Sequence, residues 1–168
     1  MFGESPLRRI LASIACLALA APAASATDPQ APVDLIHVDK SERRLTLYAE
    51  GRPVRTYRGI QLGDEPVGPK RFQGDERTPE GRYTIDFGNP QSAYHLSLHI
   101  SYPNAADRAH PRSLGRSPGG DIFIHGQPNG WSVRVAGDWT DGCIALANHE
   151  IEALWELVGD GTPIEIAP

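Results

Sequence analysis

Residues 94–100 read YHLSLHI. Tyr94, Leu96, Leu98 and Ile100 alternate with His95, Ser97 and His99. Successive side chains of an extended strand leave on opposite faces, so this pattern predicts a half-buried β-strand rather than a helix. The same reading removes a tempting metal site. His95 and His99 would share one face of a helix, but along a strand they lie about 13 Å apart, too far for one ion. One of them can still line a groove on the side that Ser97 faces.

The pattern repeats on both sides of this stretch. VDLIHV at 33–38, the alternation through Leu45 and Leu47, and residues 54–62 read as three strands, with Glu50-Gly51 as a hairpin turn. Residues 82–87 put Tyr83, Ile85 and Phe87 on one face, DIFIH at 121–125 is a further strand, and 162–167 closes the chain. Between Gly63 and Gly81 lies a long Gly- and Pro-rich loop, a length usually kept for function. A short helix is possible after Asn104. Only residues 148–158 (NHEIEALWELV) make a strong helix, with Ile151, Leu154, Trp155 and Val158 at helical spacing and Asn148 placed to cap it. The expected fold is mainly β, a sandwich or barrel-like sheet with one principal α-helix near the C-terminus.

The first 26 residues read differently. Arg8-Arg9, an apolar run at 10–21 and the small residues Ala24-Ser25-Ala26 form the three-part pattern of a secretory signal peptide. Cleavage is expected after Ala26, leaving residues 27–168 as one domain. The apolar run is too short to span a bilayer, so no integral membrane segment is expected afterwards. A lipoprotein box would place an aliphatic residue at Ser13, which argues against lipidation of Cys16. The net charge of −5 comes from scattered residues without a basic block, which argues against nucleic acid or anionic membrane as partner.

Of the two cysteines, only Cys143 would survive processing. In an oxidising compartment an unpaired cysteine reads as an intermolecular bridge, a reactive thiol or a buried inert one. Its setting is polar: DWTDGCIA, residues 138–145. A thiol becomes a competent nucleophile when an imidazole takes its proton. His125-Gly126 ends the strand at 121–125 and supplies a candidate. The Gly142 turn would offer backbone N–H groups to an oxyanion. If His125 serves Cys143, alkylation of the thiol should stay fast well below pH 8. Their pairing, sulfur against imidazole across a groove, is an expectation about three dimensions.

These residues resemble the L,D-transpeptidase catalytic domain, or YkuD, family. Its signature is a strand-borne His-Gly followed by Ser/Thr-x-Gly-Cys-Ile/Val-Arg, matched here by His125-Gly126 and Thr140-Asp141-Gly142-Cys143-Ile144. GDERTPEG at 74–81 resembles the family's loop before a strand, and the likeness runs from Val33 to Ile166. It implies a β-sandwich-like fold, Cys143 as nucleophile, His125 as general base, Gly142 as the oxyanion turn, and no metal or cofactor. Gly126, Thr140, Asp141 and Trp139 become candidate substrate-binding residues. The implied substrate is the peptide stem of peptidoglycan, in the periplasm or cell envelope. An acyl-enzyme would form on Cys143 as D-alanine leaves, and an amine of a second stem would resolve it into a cross-link.

Two positions depart from the pattern: Ala145 stands where the family usually has arginine, and Asp141 where histidine is common. An arginine fork suits a carboxylate clamp or a loop anchor, so its loss bears on the exact form of the substrate. The runs SYPNAADRA, IFIHGQPNGW and DWTDGCIA resemble a branch in which some members hydrolyse the bond between peptidoglycan and an attached lipoprotein. The alternatives are therefore a thiol hydrolase, either L,D-carboxypeptidase or peptidoglycan-lipoprotein amidase, and a non-catalytic wall-binding module. Trp131 and Trp139 could wall the groove, Trp155 is expected in the core, and Arg108, Arg112 and Arg116 read either as carboxylate contacts or as a solvated loop.

Overall fold

The computed structural model describes residues 31–131 and 133–168. The leader expected at 1–26, Cys16 included, lies outside them. Eight strands form one sheet in the order β3-β2-β1-β8-β4-β5-β6-β7. They are β1 (Leu35–Asp39), β2 (Arg44–Ala49), β3 (Arg52–Arg58), β4 (Gly81–Asn89), β5 (Ser97–Ile100), β6 (Phe123–His125), β7 (Ile144–Ala145) and β8 (Pro163–Ala167). Helix α1 (Ala105–Ser113) precedes β6, and α2 (Asn148–Trp155) follows β7.

Strand β4 is the hinge of the architecture. Gly81 to Thr84 pair with β8, whereas Ile85 to Asn89 pair with β5 across a register shift at Asp86. A bulge bends the strand that carries it and increases its twist. The two halves share one buried cluster, Ile36, Val38 and Leu47 from one and Leu98, Ile124 and Ile144 from the other. Two isolated bridges, Gln61 to Ala145 and Gly63 to Thr140, bring the chain beyond β3 against the opposite end of the sheet. This near-closure accounts for the sandwich-or-barrel pattern in the sequence.

Several boundaries differ from the sequence reading: β3 ends at Arg58 rather than at residue 62, β6 begins only at Phe123, and α2 ends at Trp155. The strand expected at 94–100 begins only at Ser97, because His95 takes φ +68° with its N–H on Asn129 Oδ1 at 2.9 Å. Tyr94 and Leu96 therefore leave the alternating face. Asn148 is the first helical residue of α2 and does not cap it. Its Oδ1 accepts the Gln127 N–H instead, while Glu150 takes the Ala147 N–H at 3.0 Å. The short helix after Asn104 is fully formed as α1, one residue longer than α2. Asn104 Oδ1 accepts two backbone N–H groups and Asp107 answers the Asn104 N–H, a reciprocal cap. Trp155 packs against the core and leaves no room for a side chain at Gly88.

The long loop after β3 is held down by Lys40, which is 2% exposed. Its ammonium meets Glu80 at 2.8 Å and the carbonyls of Gly68 and Thr78 at 2.7 and 3.1 Å. Burial lowers the Lys40 pKa, and the Glu80 carboxylate opposes that shift. Removing one partner of a buried pair strands the other. Lys40→Met is expected to cost about 3 kcal/mol by urea denaturation, with the loss concentrated in residues 63–80. A midpoint within experimental error of the parent would rule this anchor out.

Candidate active site

Strands β6 and β7 run parallel, with Ile124 beside Ile144 and His125 beside Ala145. One step back in register puts Cys143 beside Phe123. Ile124 and Ile144 are fully buried in the core, so Phe123, His125 and Cys143 leave from the opposite face. That face floors a groove of about 680 Å³ lined by Phe123, His125, Trp139 and Cys143 among others. The sulfur and the imidazole expected to meet are thus on one face and in one groove, two residues out of register.

In this state they do not hydrogen-bond. Cys143 Sγ accepts the Phe123 N–H at 3.4 Å and lies 3.6 Å from the Asp121 carbonyl. Burial pushes the thiol up to about 11; the Phe123 N–H pulls it the other way and Asp141 adds to the rise. Burial also lowers the His125 pKa, against the bond to Gly126. Both groups are therefore neutral near pH 7, and the resting pair is thiol and imidazole rather than thiolate and imidazolium.

The imidazole is oriented. His125 Nδ1 lies 2.7 Å from the Gly126 carbonyl oxygen. A carbonyl only accepts, so Nδ1 carries the hydrogen and Nε2 keeps its lone pair. Tyr94 and Trp139 pack on the ring at centroid distances of 4.7 and 5.7 Å. A neutral ring held in this tautomer can take a proton at Nε2 and later return it.

The Thr140 hydroxyl is committed to the turn that presents the sulfur. It accepts the Gly142 N–H at 3.2 Å and donates to the Cys143 carbonyl at 2.8 Å. Thr78 reaches the same carbonyl at 3.5 Å. Gly142 sits at φ +127°, and a Cβ there would lie 2.6 Å from the Arg77 carbonyl oxygen, so the position admits only glycine. Gly126 likewise shapes the site without lining the groove: it holds His125 and packs against His95 and Asn148. Asp141 and Trp139 do line the groove. The Trp139 indole N–H is buried without a hydrogen-bond partner among the described residues.

Sequence reasoning missed two groove residues. Tyr94 was expected on a strand face but packs on the catalytic-type imidazole. Lys70 lies in the loop, 3% exposed, with its ammonium 2.9 Å from Asp75 and 3.4 Å from the Asp141 carbonyl. Burial works against ionisation of Asp75, but N–H donation from Arg71 and Lys70 holds its carboxyl below the usual range. Nothing periodic in the loop signals this pair. Beside it, burial and the nearby Asp141 raise the Glu76 pKa, so the rim carries two carboxyl groups in competition. His95 and His99 turn to different carboxylates, Glu152 at 2.7 Å and Asp86 at 2.6 Å. Arg116 stacks on Phe72, 3.3 Å from the ring centroid, and Trp131 is half exposed outside the groove.

Comparison with known proteins identifies the family. The family model for the L,D-transpeptidase catalytic domain, YkuD, matches residues 33–166. YafK of Escherichia coli (strain K12), which carries the L,D-transpeptidase name, is 32% identical over 73% of this chain and 46% of its own length. The helical cell shape determining protein Pgp2 of Campylobacter jejuni superimposes with a TM-score of 0.65 at 29% identity, covering 82% of this chain and 48% of Pgp2. Bd1075 of Bdellovibrio bacteriovorus gives 0.60 at 25% identity, covering 81% and 48%. The chain thus spans about half the length of these relatives.

Proposed function

Since the chain belongs to the L,D-transpeptidase catalytic domain family, we propose that it is an exported cysteine acyltransferase acting on the peptide stems of peptidoglycan. The observation that carries this reading is the His125 tautomer: Nδ1 fixed on the Gly126 carbonyl, with a basic Nε2 in the groove that also holds Cys143. The reaction requires the Cys143 thiol to leave the Phe123 N–H and turn toward that nitrogen. His125 takes the thiol proton as sulfur attacks the carbonyl on the L-centre of the third stem residue. Backbone N–H groups of the Gly142-Cys143 turn receive the oxyanion. Collapse expels D-alanine, whose amine takes the proton from His125 and leaves a thioester on Cys143. An amine of a second stem resolves it, with His125 again accepting the proton.

Water in place of the amine gives the hydrolytic reading, with a shortened stem or a released wall-attached lipoprotein as product. Ala145 in place of the family's arginine favours keeping it, because the carboxylate clamp is absent beside His125. The envelope is the proposed site of action; among the described residues no helix is long and apolar enough to cross a membrane. The cell-shape role that Pgp2 is named for suggests wall remodelling as the context here.

Incubation of the purified protein with muropeptides, read by mass, tests the proposal. Dimeric stems lacking one D-alanine are expected, along with an acyl adduct on the protein. Shortened or released stems alone would replace transfer by hydrolysis. Unchanged muropeptides and an unmodified protein would sink both.

A further inference from the structure

Phe123 lines the groove beside Cys143, and outside the groove the same sheet face continues as a row of rings. Register places Phe87 of β4 beside His99 of β5, and His99 beside Phe123 of β6. Phe123 in turn neighbours Cys143. The Phe87 and His99 rings stack at 4.6 Å and 14°, and Phe123 meets each edge-on, at 4.8 Å from His99 and 6.0 Å from Phe87. His99 Nδ1 lies 2.6 Å from Asp86 Oδ1, which fixes the ring. Phe87, the outermost ring, is 44% exposed. A phenyl ring so exposed at the end of an ordered stack has apolar surface left to cover.

Resting on the peptidoglycan reading, we propose that this strip is a glycan subsite, which stacks the pyranose ring that bears the stem while the peptide reaches back to Cys143. Length supports this occupant. Three strand spacings separate Phe87 from Cys143, about 14 Å. The three residues between the glycan and the reacting carbonyl extend to about 10–11 Å, and the link to the sugar supplies the remainder. A sugar joined to an extended stem can therefore reach Phe87, whose ring keeps an exposed face while His99 is enclosed between Phe87 and Phe123. Chemistry supports it as well. The electron-rich face of an aromatic ring attracts the partly positive C–H groups on a pyranose face. The charged groups Lys70, Glu76 and Asp141 occupy the other part of the groove, where the amino and carboxyl ends of a stem belong.

The test is calorimetric, on the full chain carrying Cys143→Ala so that ligands are not consumed. The probes are the disaccharide tetrapeptide N-acetylglucosaminyl-N-acetylmuramyl-tetrapeptide and the free tetrapeptide. The disaccharide is expected to tighten binding roughly tenfold, the lower range for one stacked ring. Adding Phe87→Ala should collapse the ratio of the two affinities to near one, and Phe87→Tyr should keep it. Equal affinities in the Cys143→Ala protein, a ratio that survives Phe87→Ala, or a ratio lost in Phe87→Tyr would each overturn the subsite while leaving stem recognition intact. If neither ligand binds, the peptidoglycan reading falls and the subsite with it.

Discussion

Cys143→Ala is expected to lower stem turnover by a factor on the order of 10⁴ or more, the scale of removing a covalent nucleophile, with little change in thermal stability. The two effects separate because of where the sulfur sits. It leaves the sheet on the groove side, where its partners are one long N–H contact and one distant carbonyl. No core contact is lost and the Cβ remains. The turn is held by Thr140 and Thr78 through the Cys143 backbone carbonyl, which alanine retains. Cys143→Ser should be nearly as inactive, since a hydroxyl is far harder to deprotonate than a thiol. The measurements are muropeptide turnover, intact mass after exposure to substrate, and melting temperature. Turnover within tenfold of the parent, or an acyl adduct on the alanine variant, would remove Cys143 from the chemistry. A protein with no turnover to lose, whose wall binding is untouched by the substitution, would support the non-catalytic module instead.

The parts of this site that sequence disclosed are those built on short-range rules. Ile124 and Ile144 flank the two candidate residues as apolar neighbours, and period-two alternation then sends His125 and Cys143 to the other face. Gly142 could be read as a glycine needed for approach, and the Arg77 carbonyl supplies the physical reason. The parts that stayed hidden depend on contacts across the chain. YHLSLHI has an unbroken strand pattern, yet Asn129 and Glu152 hold His95 in a left-handed conformation and turn Tyr94 onto the imidazole. Asn148 is a sound cap by type, but Gln127 claims its oxygen. Lys70 and Asp75 lie five residues apart in a loop without periodicity, so their burial beside the groove had no local signature. The third group of the site is a backbone carbonyl, Gly126, and every residue has one.

His125→Gln should reduce kcat/KM by about 10³, within the range for loss of a general base, and its pH dependence carries the sharper information. Burial lowers the imidazole pKa, so the parent's neutral, proton-accepting form persists to more acidic pH than an exposed histidine would allow. The acidic limb of kcat/KM is therefore expected below the ordinary histidine value of about 6.5. The thiol, pushed up to about 11, contributes almost no preformed thiolate at neutral pH. Alkylation of the parent by iodoacetamide should thus follow the imidazole and level off through neutral pH, with no ultraviolet thiolate band there. In His125→Gln the plateau should vanish and the rate should climb with each pH unit toward the thiol's own titration. Glutamine keeps a donor for the Gly126 carbonyl, so the local fold is spared and the difference reports the lost base. Superimposable alkylation profiles would separate the two side chains chemically despite their shared groove. A thiolate band at pH 7 would replace general-base transfer with a resting ion pair and reverse the electrostatic account of the site.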